Sequence, residues 1–519
     1  MAQHSTVVVG AGIGGLAAAL LLAVRGVAVT VVEKEAAPGG KIRQVPVNGV
    51  PIDGGPTVFT LRAVFDELFA AAGVRLEDAV RITPAAKIAR HWWGPNEHLD
   101  LPADAAGREA AIGAFAGAAA AAGYRTFAAE ARRIHDVLDR PFLRDSRVYP
   151  PLLMWRIGLW RLGDLLAIRP YESMWKVLGE HFADQRLRQL FARYATYCGS
   201  SPLRAPATLM LIADVEAQGS WVVEGGLSAL ANAIEQLART QGVAFRYGEA
   251  VDEVLGDTRA IGVRLAGGER IAADAVIVNA DPAALGAGRL GPLGRRAVTP
   301  LTPRDRSLSA LTWMMQARVN GAELLRHNVF FSRDYPAEFA ALSAGRVPED
   351  PSIYVCALDR GAGHEGRAQA GPERLQIIVN APANGDTHDY KPEEIDRCTK
   401  RMLERLQACG LLLEPIGEPS VATPATYERL FPSTGGALYG RASHGWAASF
   451  LRQSARTRIP GLYCAGGSTH PGAGVPMAAL SGRLAASTAL KDLASTAPSP
   501  RAAMPGGMST RLPRGAASA

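Results

Sequence analysis

Cysteine is scarce. The 519 residues hold five, at Cys198, Cys356, Cys398, Cys409 and Cys464, an odd total without a C-x-x-C pair. Neither a disulfide framework nor a zinc or other metal site is indicated, and a reducing cytoplasm is the expected compartment. Charge is also thin: 20% of residues, 56 basic against 49 acidic, a formal net of +7. Three of those positive charges, Arg501, Arg511 and Arg514, lie after Ser495, leaving +4 for the rest. No Lys/Arg cluster is interleaved with aromatics, so nucleic acid is not an expected partner, whereas an anionic membrane surface is compatible. Long apolar runs are nearly absent. The exception is Ser5–Val24, about 20 residues without a charge. No basic segment of the signal-peptide kind precedes it. The Ala-rich stretch Ala110–Gly123 is too short and too weakly apolar to span a bilayer. No fixed-period repeat is present.

What remains is globular: 48% hydrophobic residues over a length that suits two to four domain-sized units. Glycine is abundant, 55 residues, and its placement is informative. The uncharged run resolves into a short strand (Val7-Val8-Val9), a glycine turn (Gly10 to Gly15) and a buried helix (Leu16 to Val24). A second strand, Val27–Val32, ends in Glu33, 18 residues after Gly15. This is a βαβ unit with G-x-G-x-x-G and an acid at the spacing that suits a ribose hydroxyl. Gly10 permits the turn, Gly12 lets the backbone approach a pyrophosphate, and Gly15 lets helix and strand pack closely. The pyrophosphate would sit on the helix N-terminus, whose free N–H groups favour anions.

Two further glycine loops follow the acid. Pro38-Gly39-Gly40-Lys41-Ile42-Arg43 brings two cations, and Asp53-Gly54-Gly55-Pro56-Thr57 comes next, in a Gly/Pro-rich stretch, 36–62, read as an extended loop. They suit a ligand held along a greater length than a nicotinamide nucleotide needs. Residues 63–200 read as mostly helical, broken at Gly94-Pro95-Asn96. A helix at Leu227–Gln241 and strands at Val243–Tyr247, Val251–Leu255, Ala260–Leu265 and Ala275–Asn279 follow, with Gly267-Gly268 as a hairpin turn. Apolar runs at Leu308–Arg318, Ser352–Leu358 and Leu375–Val379 read as strands, and Pro392–Cys409 as a helix. Near the C-terminus, Leu462–Gly467 reads as a strand ending in a glycine pair. Ser468–Gly474 is a polar turn, and Val475-Pro476 opens a long helix. That helix N-terminus, aimed at a flavin's pyrimidine edge, would stabilise the charge that develops on reduction.

Together these motifs resemble the carotenoid desaturase family of FAD enzymes, within the amine-oxidase-like flavoproteins. Internal stretches add to the likeness: Val223-Glu224-Gly225-Gly226-Leu227, His327–Ser332, Asp334-Tyr335-Pro336 and Glu338-Phe339. It extends over nearly all of residues 5–490. Within the family the chain is most similar to the bacterial hydroxyneurosporene (1-hydroxycarotenoid 3,4-) desaturases, through Tyr194–Pro202, Glu216-Ala217-Gln218-Gly219 with Trp221, and His470–Leu480. Glu224 stands where phytoene desaturases often carry a basic residue.

The resemblance implies an α/β fold: a Rossmann-like FAD-binding domain of the two-domain amine-oxidase type, with an inserted mixed α+β substrate domain and a helical segment that contacts a membrane. The expected division is an FAD-binding domain from 1–85, 215–290 and 441–494. A helical substrate and membrane-contact region occupies 86–214, the substrate domain 291–440, and a disordered tail 495–519. The implied FAD contacts are Gly10, Gly12, Ile13, Gly14, Gly15, Glu33, Lys34, Gly39, Gly40, Lys41, Gly55, Pro56, Thr57, Val251, Gly466, Gly467, Gly474, Val475, Pro476 and Met477.

The implied substrate is a hydrophobic carotenoid. Hydride leaves C4, next to the polyene, for the flavin; the resulting cation acidifies the C3 proton, so a weak base or water can take it. His470 is a candidate base, and hydrogen bonding to backbone is its plainer role. Cys464, inside a strand, reads as a small buried residue. Phytoene desaturation, oxidation of amines or porphyrinogens, and a non-catalytic isoprenoid-binding escort are the rival functions.

So apolar a substrate comes from lipid, which points to peripheral attachment at the inner or photosynthetic membrane. Val148–Trp175, with Trp155, Trp160, Trp175 and three arginines, fits either an interfacial amphipathic segment or a helix packed on its own core. The sequence carries no signal for oligomeric state.

Overall fold

The computed structural model describes residues 4–158, 162–361 and 371–496. Trp160 and residues 497–519, most of the expected disordered tail, lie outside the described residues.

A five-stranded parallel sheet forms the first layer. Its order is Leu462–Cys464, Ala275–Val278, Ser5–Val9, Ala28–Glu33, Ala244–Tyr247. Central strands of such a sheet are covered on both faces, which is why they read as unbroken Val/Ile runs. On one face lies the helix Ile13–Ala23, apolar all round because the sheet covers one side and the helices Leu227–Thr240 and Val475–Thr496 the other. The uncharged run at the N-terminus is therefore a strand and a core helix. No helix among the described residues is long and apolar enough to cross a membrane. On the other face, Val7, Val9, Val276 and Val278 meet Val254, Val263 and Leu265 of an antiparallel meander, Val251–Leu255, Gly262–Leu265 and Arg270–Ala272.

A second, mixed sheet runs in the order Leu411–Pro415, Ser309–Gly321, Glu373–Ala381, Ile353–Ala357, His327–Phe330, Lys87–Gly94, Glu97–Pro102. The short strand Ser420–Ala422 also pairs with Ser309–Gly321. The helix Pro392–Ala408 covers one face through Cys398, Met402 and Leu406.

The segment 86–214 is not helical throughout. Lys87–Gly94 and Glu97–Pro102 make a hairpin, and Arg90–Trp92 pairs parallel with Asn328–Phe330. Gly94-Pro95-Asn96, expected to break a helix, lies at the turn of this hairpin. Residues Ile88 to Trp92 are all buried, so no period-two alternation marks the strand. The helices begin at Ala105, and Ala118–Leu138, Met174–His181 and Gln185–Ala192 pack with their neighbours around Phe127, Phe182 and Phe191. In the Gly/Pro-rich stretch, Gln44–Val47 and Val50–Asp53 form a small hairpin rather than a loop.

Candidate functional site: a dinucleotide groove leading into an apolar cavity

The glycine turn sits at the carboxyl edge of the parallel sheet. Gly10 has φ +100°, and its N–H donates to the Val32 carbonyl at 2.8 Å. Gly12 caps the helix Ile13–Ala23 without a side-chain acceptor, so the first-turn N–H groups carry no side-chain partner. The Gly39-Gly40 turn lies against this one: the Gly39 N–H donates to the Ala11 carbonyl at 2.9 Å. A Cβ on Gly40 would stand 3.2 Å from Gly12 Cα. Glu33 is buried, and its carboxylate accepts from the N–H of Ala11 (2.7 Å) and of Glu35 (2.9 Å). These bonds fix the acid against the glycine turn and leave lone pairs on both oxygens for a ribose. Val251 starts its strand two residues after Glu249, whose N–H donates to the Glu33 carbonyl at 3.0 Å.

The C-terminal glycines arrive at the same place. The strand Leu462–Cys464 pairs with Ala275–Val278, so Gly466 is set beside the first turn. A Cβ on Gly14 would lie 2.7 Å from the Gly466 nitrogen, and one on Gly482 would lie 2.1 Å from the Gly14 carbonyl oxygen. The Thr469 hydroxyl donates to the Gly466 carbonyl at 2.6 Å. Its oxygen lies 2.5 Å from that of Ser481, which ties the polar turn to the helix Val475–Thr496. Between the two arms stands Asn279, whose Nδ2 is 3.4 Å from the Gly10 carbonyl and would meet a Cβ on Gly12 at 2.7 Å. Sequence reasoning missed it. The available signal was an amide ending a Val strand at the sheet's carboxyl edge.

Gly55, Pro56, Thr57, Gly474, Val475, Pro476 and Met477 line the near end of a cavity of about 370 Å³. The cavity continues beneath the helical cap among Leu138, Phe142, Leu153, Ile168, Phe331 and Phe450. Polar residues also line it, among them Arg193, Glu216, Tyr354 and Arg452. Tyr354 is 2.6 Å from Thr57 Oγ1 and 2.7 Å from His327 Nδ1. Burial lowers His327 to about 3 and pushes the Tyr354 phenol up, so both are neutral at physiological pH. Arg452 is buried and donates to the carbonyls of Tyr439 (2.8 Å) and Arg441 (2.6 Å), clamping the loop behind the C-terminal turn.

Other expected residues take different roles. Lys34 donates to the Leu430 carbonyl at 2.7 Å and Lys41 to that of Leu438 at 2.5 Å, so both ammonium groups tie the 430–438 loop to the nucleotide arm. Desolvation lowers the Lys41 pKa, with Asp281 opposing. His470 is buried, with Nε2 donating to the Phe142 carbonyl at 2.9 Å and its ring edge-on to Phe142. Burial lowers it to about 4. It joins the cap to the flavin turn and is not among the cavity-lining residues, which speaks against a base. Cys464 is buried in its strand, and burial raises the thiol to about 12, so a thiolate is disfavoured. Glu224 is exposed beside Arg81 at 3.8 Å, away from the lining, so its charge does not choose a substrate. Trp175 is partly buried against the cap core under Arg188, 4.1 Å from its ring.

The residues present fit FAD. An uncapped helix start lies beside glycines that admit no side chain, an acid is fixed at ribose distance in sequence, and an apolar chamber opens at the far end. The first arm would hold the ADP half. Gly55–Thr57 and Gly474–Met477, at the near end of the cavity, would hold the isoalloxazine.

The comparisons agree. Residues 13–490 match the family described as flavin containing amine oxidoreductase. The hydroxyneurosporene desaturase of Rubrivivax gelatinosus is 51% identical, over 98% of this chain and 97% of that protein. The protein of the same name from Cereibacter sphaeroides is 45% identical, over 94% and 98%. A solved putrescine oxidase shares the fold with a TM-score of 0.56 at 13% identity, over 95% of this chain and 99% of that one. The chain is thus an FAD-dependent oxidoreductase that belongs to the flavin-containing amine oxidoreductase family, among its carotenoid desaturases.

Proposed function

We propose that the protein dehydrogenates the C3–C4 bond of acyclic 1-hydroxycarotenoids of the 1-hydroxyneurosporene type, in carotenoid biosynthesis. The observation that carries the reading is the apolar cavity that begins at Gly55–Thr57 and Gly474–Met477 and runs beneath the helical cap. Its largely apolar walls suit a rigid polyene. The two relatives above are named hydroxyneurosporene desaturase.

The flavin, when bound, supplies a two-electron acceptor for the hydride lost from C4. The chain's part is to hold the polyene, exclude water and receive the C3 proton. Tyr354 lines the cavity, and its oxygen can take that proton as its own passes to His327 Nδ1, 2.7 Å away. A neutral phenol–imidazole pair is a weak base, which suffices for a proton acidified by an adjacent delocalised cation.

Feeding extracts with 1-hydroxyneurosporene and with phytoene tests the substrate. The expected result is red-shifted absorption from the first only; conversion of phytoene alone would overturn the reading. Peroxide release with polar amines or porphyrinogens would favour an oxidase. A yellow protein bleached by reduction excludes an escort.

The same reading includes peripheral attachment to the cytoplasmic face of the inner or photosynthetic membrane. Among the described residues, Ile261 and Leu412 apart, the exposed large apolar side chains lie on the cap, at Tyr149, Met154, Trp155 (69% exposed) and Tyr171 (79%), and on the loop that meets it, at Trp446 and Leu451 (62%). Tyr171 and Trp446 are in ring contact at 5.8 Å. Leu153, Ile168, Pro170 and Trp446 line the cavity beneath, so the patch covers the route by which a lipid-dissolved polyene would enter. Trp155→Ser with Tyr171→Ser should lower the liposome-bound fraction about tenfold in flotation. Equal flotation of variant and parent would remove the patch from the account.

A further inference from the structure

The cavity wall carries one feature that an all-hydrocarbon substrate does not explain. Arg193 and Glu216 line it, and they are only 6% and 2% exposed. Arg193 opens the 3-10 turn Arg193–Cys198, and Glu216 comes from the helix Leu211–Ala217. The Tyr197 hydroxyl donates to Glu216 Oε1 at 2.8 Å, and the Tyr194 hydroxyl donates to Oε2. Arg193 Nη1 donates to the Tyr197 oxygen at 2.5 Å. Arg193 Nη2 is 3.6 Å from Glu216 Oε2, and neither Nη2 nor Nε has a hydrogen-bond partner. The other lining arginine, Arg452, differs in this respect, because backbone carbonyls occupy its nitrogens.

Burying an ion pair against an apolar chamber is costly unless its spare donors and acceptors are used. A hydroxyl uses both: it donates to a carboxylate and accepts from a guanidinium. The 3-10 turn also abuts the C-terminal arm: a Cβ on Gly199, which caps it, would collide with the Tyr439 ring, and Arg452, which donates to the Tyr439 carbonyl at 2.8 Å, is 3.4 Å from the Ser468 carbonyl. In a 1-hydroxycarotenoid the oxygen is on the carbon two bonds from C3, so its binding group must lie close to the flavin-facing residues. The pair is neutral overall, which suits a site where positive charge develops on the substrate.

We propose that Arg193, Glu216 and Tyr197 bind the C1 hydroxyl of the substrate and set the enzyme's preference for hydroxylated over unhydroxylated ends. This rests on the reading of the substrate as a 1-hydroxycarotenoid. A bare hydrocarbon end would leave Arg193, Tyr197 and Glu216 lining the chamber against methyl groups, and sites built for a hydroxyl reject analogues that lack it.

The test is competition between 1-hydroxyneurosporene and neurosporene for the flavin-loaded enzyme in liposomes, with products separated by chromatography. The parent enzyme should favour the hydroxylated carotenoid by about a hundredfold or more. Arg193→Met and Glu216→Gln should each shrink that ratio at least about tenfold. Tyr197→Phe removes a single oxygen and keeps the ring against Tyr194, and it should shrink the ratio several-fold. It carries the test if a charge variant fails to load flavin. Flavin-loaded variants that keep the parent's ratio would overturn the assignment. A parent enzyme that prefers neurosporene, or turns over neither, would instead overturn the substrate reading.

Discussion

Alanine in place of Gly15 is expected to give a protein without flavin colour. The added carbon would stand 2.1 Å from the Gly10 carbonyl oxygen and 3.1 Å from Asn279 Nδ2. The first obstacle is backbone, and Gly10 is itself held at φ +100° by the turn it forms, so neither side can yield. Overpacking of this kind costs about 3 kcal/mol when no flexible atom can move aside. Part of it falls on the fold and part on the pyrophosphate cradle. The ratio of flavin to protein absorbance should fall at least tenfold, and the melting temperature should drop. Gly267→Ala is the control, because nothing lies within 4 Å of the Cβ it would carry. That variant should remain yellow. A Gly15→Ala protein with full colour and an unchanged melt would mean that Gly15 does not pack against the Gly10 carbonyl as described.

Raising the pH should weaken the protein through Glu338. This carboxyl is 2% exposed; Oε2 accepts from the hydroxyls of Ser332 (2.8 Å) and Ser352 (2.6 Å), while Oε1 is enclosed without a partner. Burial raises its pKa from the ordinary 4.5 to about 7, the serine hydrogen bonds opposing. The folded state therefore prefers the protonated form. That contribution is fully present below about pH 4.5 and is lost as the pH rises through about 7. The penalty at pH 8 is on the order of 3 kcal/mol. Glu338→Gln should flatten the pH dependence of the melting temperature between pH 5 and 8 and be the more stable protein at pH 8. If parent and variant melt in parallel across that range, Glu338 does not titrate there.

The parts of this architecture that sequence reveals are those in which one physical constraint acts locally. A strand buried on both faces must be apolar, so Val7–Val9 and Ala275–Val278 stand out. A backbone that approaches a phosphate or another helix must shed its side chains, so Gly10–Gly15 and Gly466-Gly467 stand out as well. The hairpin Lys87–Pro102 was hidden because both faces of its first strand are covered and its partner, His327–Phe330, is remote in sequence. Asn279 was hidden because its role is to fill the space between two glycine turns brought together by the sheet. Arg193 and Glu216 each look like an ordinary surface charge in sequence. Only the packing of a 3-10 turn on the helix Leu211–Ala217 turns both of them inward. Lys41 looked like a phosphate donor by its place in the second glycine loop, but the 430–438 loop offers its ammonium group, and that of Lys34, carbonyls nearer at hand.

The pairing of Leu462–Cys464 with Ala275–Val278, and of the last helix with the first, has a consequence for biogenesis. Until those late segments leave the ribosome, Ile13–Ala23 has an uncovered apolar flank and the cradle lacks half its wall. Cofactor capture must therefore follow emergence of those segments, and until then the exposed flank is a target for chaperones.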